Sequence, residues 1–156
     1  MERVTFIRYT ESRVPEWSYH DREECLVPSR HEDWLKQAKR DLQHARHACR
    51  DEEYEWACFA AHQAAEKAVK ALVQKLGADA WGHSVTALLS ALPPDTGIED
   101  ELIDRGKELD KHYITSRYPN AHPQGAPFDY YTQYEAERAI KHAEAVVSFC
   151  EDTISG

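Results

Sequence analysis

Arg117 and His122 stand five residues apart in the segment Arg117-Tyr118-Pro119-Asn120-Ala121-His122, and their types suit phosphate chemistry. A guanidinium keeps its charge and grips a phosphate through paired donors, whereas a histidine ring takes up or releases a proton near neutrality. Such a pair can cut RNA without a metal. A 2′-hydroxyl attacks the adjacent phosphorus, the cation offsets charge growing on the equatorial oxygens, and the imidazole moves a proton for the nucleophile or the leaving oxygen. The products carry a 2′,3′-cyclic phosphate or its hydrolysis product. One arginine and one histidine are few groups for that work, and two copies meeting in a symmetric dimer would supply twice the set. The pair also has a plain structural reading. Arg117 can satisfy the carbonyl ends of the preceding helix, and His122, between Pro119 and Pro123, can be an exposed loop histidine.

Tyr118, Asn120 and Lys111 are the candidates for holding substrate beside this pair, Asn120 having the alternative role of ordering the turn. The full chain carries 19 Lys and Arg against 28 Asp and Glu, a net charge of -9. Proteins that track nucleic acid by bulk charge are basic, so that mode is excluded and any cationic site must be local. Residues 105–122 supply one: Arg105, Lys107, Lys111 and Arg117 against Glu108 and Asp110, with His112 and His122 added. Elsewhere, Gln63, Glu66 and Lys70 share a helix face, where a solvated or interface pair is the simpler reading than an acid and base. His44 and His47 lie three apart without a third ligand at helical spacing. His83 and His112 either join the pocket or serve as a cap and a packed ring. Gly-rich phosphate loops, nucleophile elbows and HExxH sequences are missing, so neither metal nor cofactor is expected.

The elements that must position these residues follow from periodicity. At 156 residues and 18.0 kDa the chain holds one core. No apolar run approaches the length of a bilayer span, and Met1-Glu2-Arg3 opens a polar stretch without a signal-peptide core, so a cytoplasmic protein without membrane contact is expected. Cys25, Cys49, Cys58 and Cys150 show no CxxC spacing and read as reduced thiols. Residues 1–30, with Pro15 and Pro28 bounding a polar stretch, are expected to form an N-terminal arm, and residues 31–152 the helical domain. Ser29 and Glu32 have the form of a capping box, ahead of a stripe through Trp34, Ala38, Leu42, Ala45 and Cys49 that predicts a helix ending near Arg50. A second stripe from Tyr54 to Leu76, stopped by Gly77, is rich in alanine and predicts a central helix that neighbours approach closely. Val85, Leu88, Leu89 and Leu92 make a short third helix ended by Pro93-Pro94. Ile98 through Tyr113 make a fourth, ending near Ile114. Residues 115–131 hold three prolines and one glycine and predict a long ordered loop. Thr132 and Glu135 form a capping box ahead of a last helix through Ile154. Strands and solenoid repeats find no support after residue 30. The fold class expected is an all-α antiparallel bundle of four or five helices.

These blocks resemble the HEPN domain family. The likeness spans about residues 31–152 and rests on Trp34-Leu35 and Ala38, the run from Ala60 to Leu72, Gly82-His83-Ser84-Val85 with Leu88-Leu89, Arg117-Tyr118-Pro119, and Tyr131-Thr132 followed by Ala136 to Ile140. It implies a helical bundle that dimerises. In many relatives it further implies a metal-independent endoribonuclease with an Arg, four to six residues, then His, which Arg117 and His122 match with four between. It also implies a minimal nucleotidyltransferase as partner in a toxin–antitoxin module. The alternative under the same resemblance is an inactive module that docks the nucleotidyltransferase or binds nucleotide. In one toxin branch a tyrosine two residues after the histidine is modified by AMP transfer; Gln124 stands there in this chain.

Overall fold

A computed structural model describes residues 7–9 and 29–156. Helix α1 (His31–Arg50) and helix α2 (Tyr54–Lys75) form an antiparallel hairpin joined by three residues. Glu52 takes a left-handed φ of 64° in that turn, and Glu53 closes it by donating its backbone N–H to the Ala48 carbonyl at 2.9 Å. Then follow α3 (Val85–Ser90), α4 (Asp100–Asp110), the single turn α5 (His112–Thr115) and α6 (Gln133–Ser155). Helix α2 is the hub, packed against α1, α6, α3 and α5.

The alanines of α2 explain that position. Ala57, Ala61, Ala64, Ala65, Ala68 and Ala71 are fully buried. With only a methyl group at each site, neighbouring helix backbones come close on several sides without leaving voids. Larger groups fill the space at the ends and between layers, among them Leu72, Leu88, Leu89, Leu109 and Val146. Where α3 meets α4 the approach is tighter still: a Cβ on Gly106 would lie 3.2 Å from both the Thr86 backbone nitrogen and Leu89 Cδ1.

Local signals account for most of the boundaries. Ser84 caps α3 by accepting from the Ala87 N–H at 3.1 Å, and Gly77 ends the α2 region at φ 77°. The Thr132/Glu135 capping box forms at the start of α6. The Ser29/Glu32 box does not form. Ser29 Oγ instead meets His31 Nδ1 at 3.0 Å and donates to the Gln74 carbonyl at 3.4 Å, so a tertiary contact with the end of α2 takes the group the local motif would have used. The fourth predicted helix divides at Lys111 into α4 and α5. A short antiparallel ribbon, β1 (Ile7–Tyr9) on β2 (Ala78–Ala80), corrects the expectation of no strand after residue 30. Three residues are too few to show an alternating pattern, and their partner lies about seventy residues away. The fold is nonetheless all-α, as the periodicity predicted. The expected arm at 1–30 falls outside the described residues apart from β1 and its last two residues, as does Cys25. Among the described residues no helix is long and apolar enough to cross a membrane.

Candidate functional site

Arg117 follows the last turn of α5, and the chain then runs through a 3-10 turn at Pro119–Ala121, a left-handed Gly125 (φ 76°) and a second 3-10 turn at Pro127–Asp129. The predicted long loop is thus ordered by short turns, each opened by a proline at the first helical position. Tyr130 donates its hydroxyl to the Gln124 carbonyl and closes the second half of this segment, residues 124–130.

The Arg117 guanidinium is laid among three aromatic rings. Its Cζ lies 4.4 Å from the Phe59 centroid, 4.8 Å from Tyr113 and 4.9 Å from Tyr118. Nε and Nη2 both donate to the Tyr113 carbonyl, at 2.9 and 2.6 Å, and Nη1 reaches the Tyr118 hydroxyl at 3.5 Å. Among the described residues no carboxylate is within ion-pair distance of it. The cation is therefore held in place by ring faces and one backbone oxygen, and its charge is not cancelled by a neighbour. His122 stacks on Tyr130, centroids 4.2 Å apart and planes 13° apart, and donates Nε2–H to the Thr115 carbonyl at 2.7 Å. That bond leaves Nδ1 as the ring's acceptor. Arg117 thus performs the structural task that its position allowed, closing a carbonyl of α5, and keeps N–H donors beyond those bonds; His122 is half-buried and tied to α5 where the plain structural reading had an exposed loop histidine.

The remaining sequence candidates are placed differently. Tyr118, 47% exposed, forms part of the ring set around Arg117. Asn120 is exposed in the 3-10 turn. Lys111 is drawn to Glu108, which also receives Arg138 from α6 at 3.3 Å; the Lys111 ammonium holds the Glu108 carboxyl below its ordinary range. Lys111 is thus engaged toward α6 and not with Arg117. His44 and His47 are exposed on α1. No group of three or more His, Cys, Asp or Glu is gathered for a metal among the described residues. Cys58 and Cys150 are buried, which pushes both thiols up.

Beneath Arg117 lies a polar seam that the sequence displayed only in part. His62, Glu66 and Lys70 recur every fourth residue and line one face of α2. His62 is fully buried and donates Nε2–H to Asp110 Oδ1 at 3.2 Å. Asp110 also accepts from the Ser84 hydroxyl at 2.7 Å and from the backbone N–H groups of Val85 at 2.7 Å and Thr86 at 3.1 Å. Burial works against its charge, but these donors outweigh it and hold the carboxyl below the ordinary range. One side chain at the end of α4 thereby fixes α2, the start of α3 and the break into α5. On α5, Thr115 donates its hydroxyl to the Lys111 carbonyl at 2.6 Å, so the Tyr131 hydroxyl at 2.7 Å must donate to Thr115 and accept from His112 Nδ1 at 3.2 Å. Burial pushes the His112 pKa down to about 4 and the Tyr131 hydroxyl up to about 12. The neutral ring is the form this site holds. The i, i+4, i+8 spacing on α2 was the available signal for the seam; Asp110 offered none, because its partners come from two other elements.

An alanine-packed helical bundle with an ordered Arg-to-His turn beside α5 is the class these observations define. The chain belongs to the HEPN domain family, whose model matches residues 31–153. It is similar to TT1696 from Thermus thermophilus, whose crystal structure superposes with a TM-score of 0.79 at 45% identity, covering 81% of this chain and 99% of that one. ST0689, described as an archaeal HEPN homologue, gives a TM-score of 0.68 at 42% identity over 81% of this chain and 99% of its own. The HEPN domain protein tm0613 from Thermotoga maritima gives 0.65 at 45% identity over 79% and 98%. A protein of Methanocaldococcus jannaschii named "Putative toxin MJ1304" is 28% identical over 128 residues, 76% of this chain and 84% of that protein.

Proposed function

We propose that this chain is the RNA-cleaving HEPN component of a toxin–antitoxin-type module, with Arg117 gripping phosphate and His122 moving a proton. The observation that carries this reading is the Arg117 guanidinium, fixed across three rings, unpaired with any carboxylate among the described residues, and in the same short turn system as His122. Similarity to a protein named as a toxin supports the module context. In the mechanism, the 2′-oxygen bonds to phosphorus as the bond from phosphorus to the 5′-oxygen breaks, and the 5′-oxygen leaves as a hydroxyl. His122 Nδ1, the acceptor left by the bond to Thr115, serves as the proton carrier on one side of that exchange. Tyr118 and Asn120 hold the strand next to the phosphate. A homodimer would place two such sets in one cleft, and a minimal nucleotidyltransferase is the expected partner.

Purified protein in the presence of a chelator is expected to release RNA fragments ending in 2′,3′-cyclic phosphate, and Arg117→Ala or His122→Ala to lower that rate by roughly a hundredfold or more. Parent-like cleavage by either variant, or cleavage abolished by the chelator, overturns the assignment. A second reading rests on a specific observation: both side chains donate to α5 carbonyls and so suffice as structural ties. The chain is then a docking module for the nucleotidyltransferase. Harmless expression in a bacterium with stable co-purification of that partner supports it, whereas toxicity relieved by Arg117→Ala supports the nuclease.

A further inference from the structure

His83 sits in the turn before α3, 45% exposed at its side chain, and donates Nδ1–H to the Glu66 carboxylate at 3.2 Å. Glu66 is itself buried at 4% exposure and fixed by Lys70 at 2.8 Å and Gln63 at 3.3 Å. A buried, immobilised carboxylate holding one ring nitrogen of a half-exposed histidine sets the tautomer and leaves the other nitrogen, Nε2, as an acceptor. The ring is fixed a second time by stacking on Tyr113, centroids 5.1 Å apart and planes 16° apart. Tyr113 is also the residue whose ring and carbonyl hold Arg117. The His83 ring and the Arg117 guanidinium therefore share one aromatic platform, at 5.1 and 4.8 Å from it. His83 also lines a cleft of about 310 Å3 with Trp34, Lys70, Asp79 and Trp81, where the Lys70 ammonium lies over the Trp34 ring at 5.8 Å. Aromatic faces such as those of Trp34 and Trp81 suit an unstacked base.

We infer that His83, oriented by Glu66, is a second proton carrier of the same site, working opposite His122. The inference rests on the nuclease reading. One imidazole removes the proton from the attacking 2′-hydroxyl and the other delivers a proton to the departing 5′-oxygen, so each turnover leaves one ring protonated and the other deprotonated until water restores both. Glu66 is a positioning residue: it touches His83 and not the strand. The charged and titratable groups around His83 are Glu66 and Lys70 on α2, Tyr113 on α5 and Asp79 on β2.

The test is RNA cleavage by the full chain and by His83→Ala, with and without added imidazole, over a range of pH. His83→Ala is expected to lose roughly tenfold or more in rate, together with one limb of the pH profile, and to recover part of the rate with imidazole. Loss of rate without imidazole rescue and with the pH profile unchanged means that His83 only supports the fold, and the inference fails. A His83→Ala rate equal to the parent, while Arg117→Ala and His122→Ala are inactive, removes this inference and leaves the nuclease reading standing. Parent protein without RNA cleavage, or with cleavage indifferent to Arg117→Ala, removes both.

Discussion

Helix α2 presents two contrasting regions side by side. Toward α1 and α6 it offers methyl groups, with Ala57, Ala61, Ala64, Ala65 and Ala68 fully buried. Toward α3 and α5 it offers His62, Glu66 and Lys70, joined to Asp110, Ser84 and His83. The first region is held by burial of apolar surface, which is non-directional, and by close packing, which feels any change in volume. The second is held by groups that cost free energy unless every donor meets its acceptor, and so it fixes one geometry. The difference explains why Arg117 stands over the polar seam. The dry region sets where the helices lie, and the seam sets the orientation of Tyr113 and therefore of the guanidinium laid upon it.

That contrast can be broken from either side. The largest effect belongs to the dry region: Leu72→Ala, at a fully buried position, is expected to cost about 2–5 kcal/mol in chemical denaturation, through lost apolar burial plus the cavity left behind. A loss under about 1 kcal/mol would show that α2 is not the packed hub. The seam has a pH signature. His112 is held with a folded pKa of about 4 against an ordinary 6.5, so the folded state binds fewer protons than the unfolded state between those values. The contribution of His112 to stability is therefore full above about pH 6.5 and is lost as the pH falls toward 4, by up to about 3 kcal/mol. In His112→Asn the slope over that window should flatten; an unchanged slope would place the acid sensitivity elsewhere. Third, Asp110→Ala leaves Ser84 Oγ, two backbone N–H groups and the His62 ring without their acceptor, at an expected cost of about 1–3 kcal/mol. Asp110→Asn should recover part of that cost, because its amide oxygen still accepts. If both variants are as stable as the parent, the seam does not tie α2, α3 and α5 together.

The helices were legible because their signals are local. The stripe from Tyr54 to Leu72, the stop at Gly77 and the Thr132/Glu135 box each involve residues within a few turns, and each appears in the structure as read. The Ser29/Glu32 box was equally good as a pattern and failed, since Ser29 found the Gln74 carbonyl instead. The same limit governs the candidate site. The spacing from Arg117 to His122 is a property of the chain, and so is the proline-bounded turn that carries them. Sequence spacing says nothing about Phe59, which reaches the guanidinium from α2, or about Glu66 and His83, seventeen residues apart and joined across two elements.

By itself, then, the order of residues determined an all-α bundle with a central alanine-rich helix and an Arg and His pair in an ordered loop, because helical periodicity, caps and prolines act over a few residues. Only tertiary structure decided that Arg117 lies on three rings above a hydrogen-bonded seam, that Lys111 turns to Glu108, and that a carboxylate from α2 orients His83. Those contacts are settled by tertiary packing, and a side chain's partners there are chosen by how helices pack and which buried donors must be satisfied.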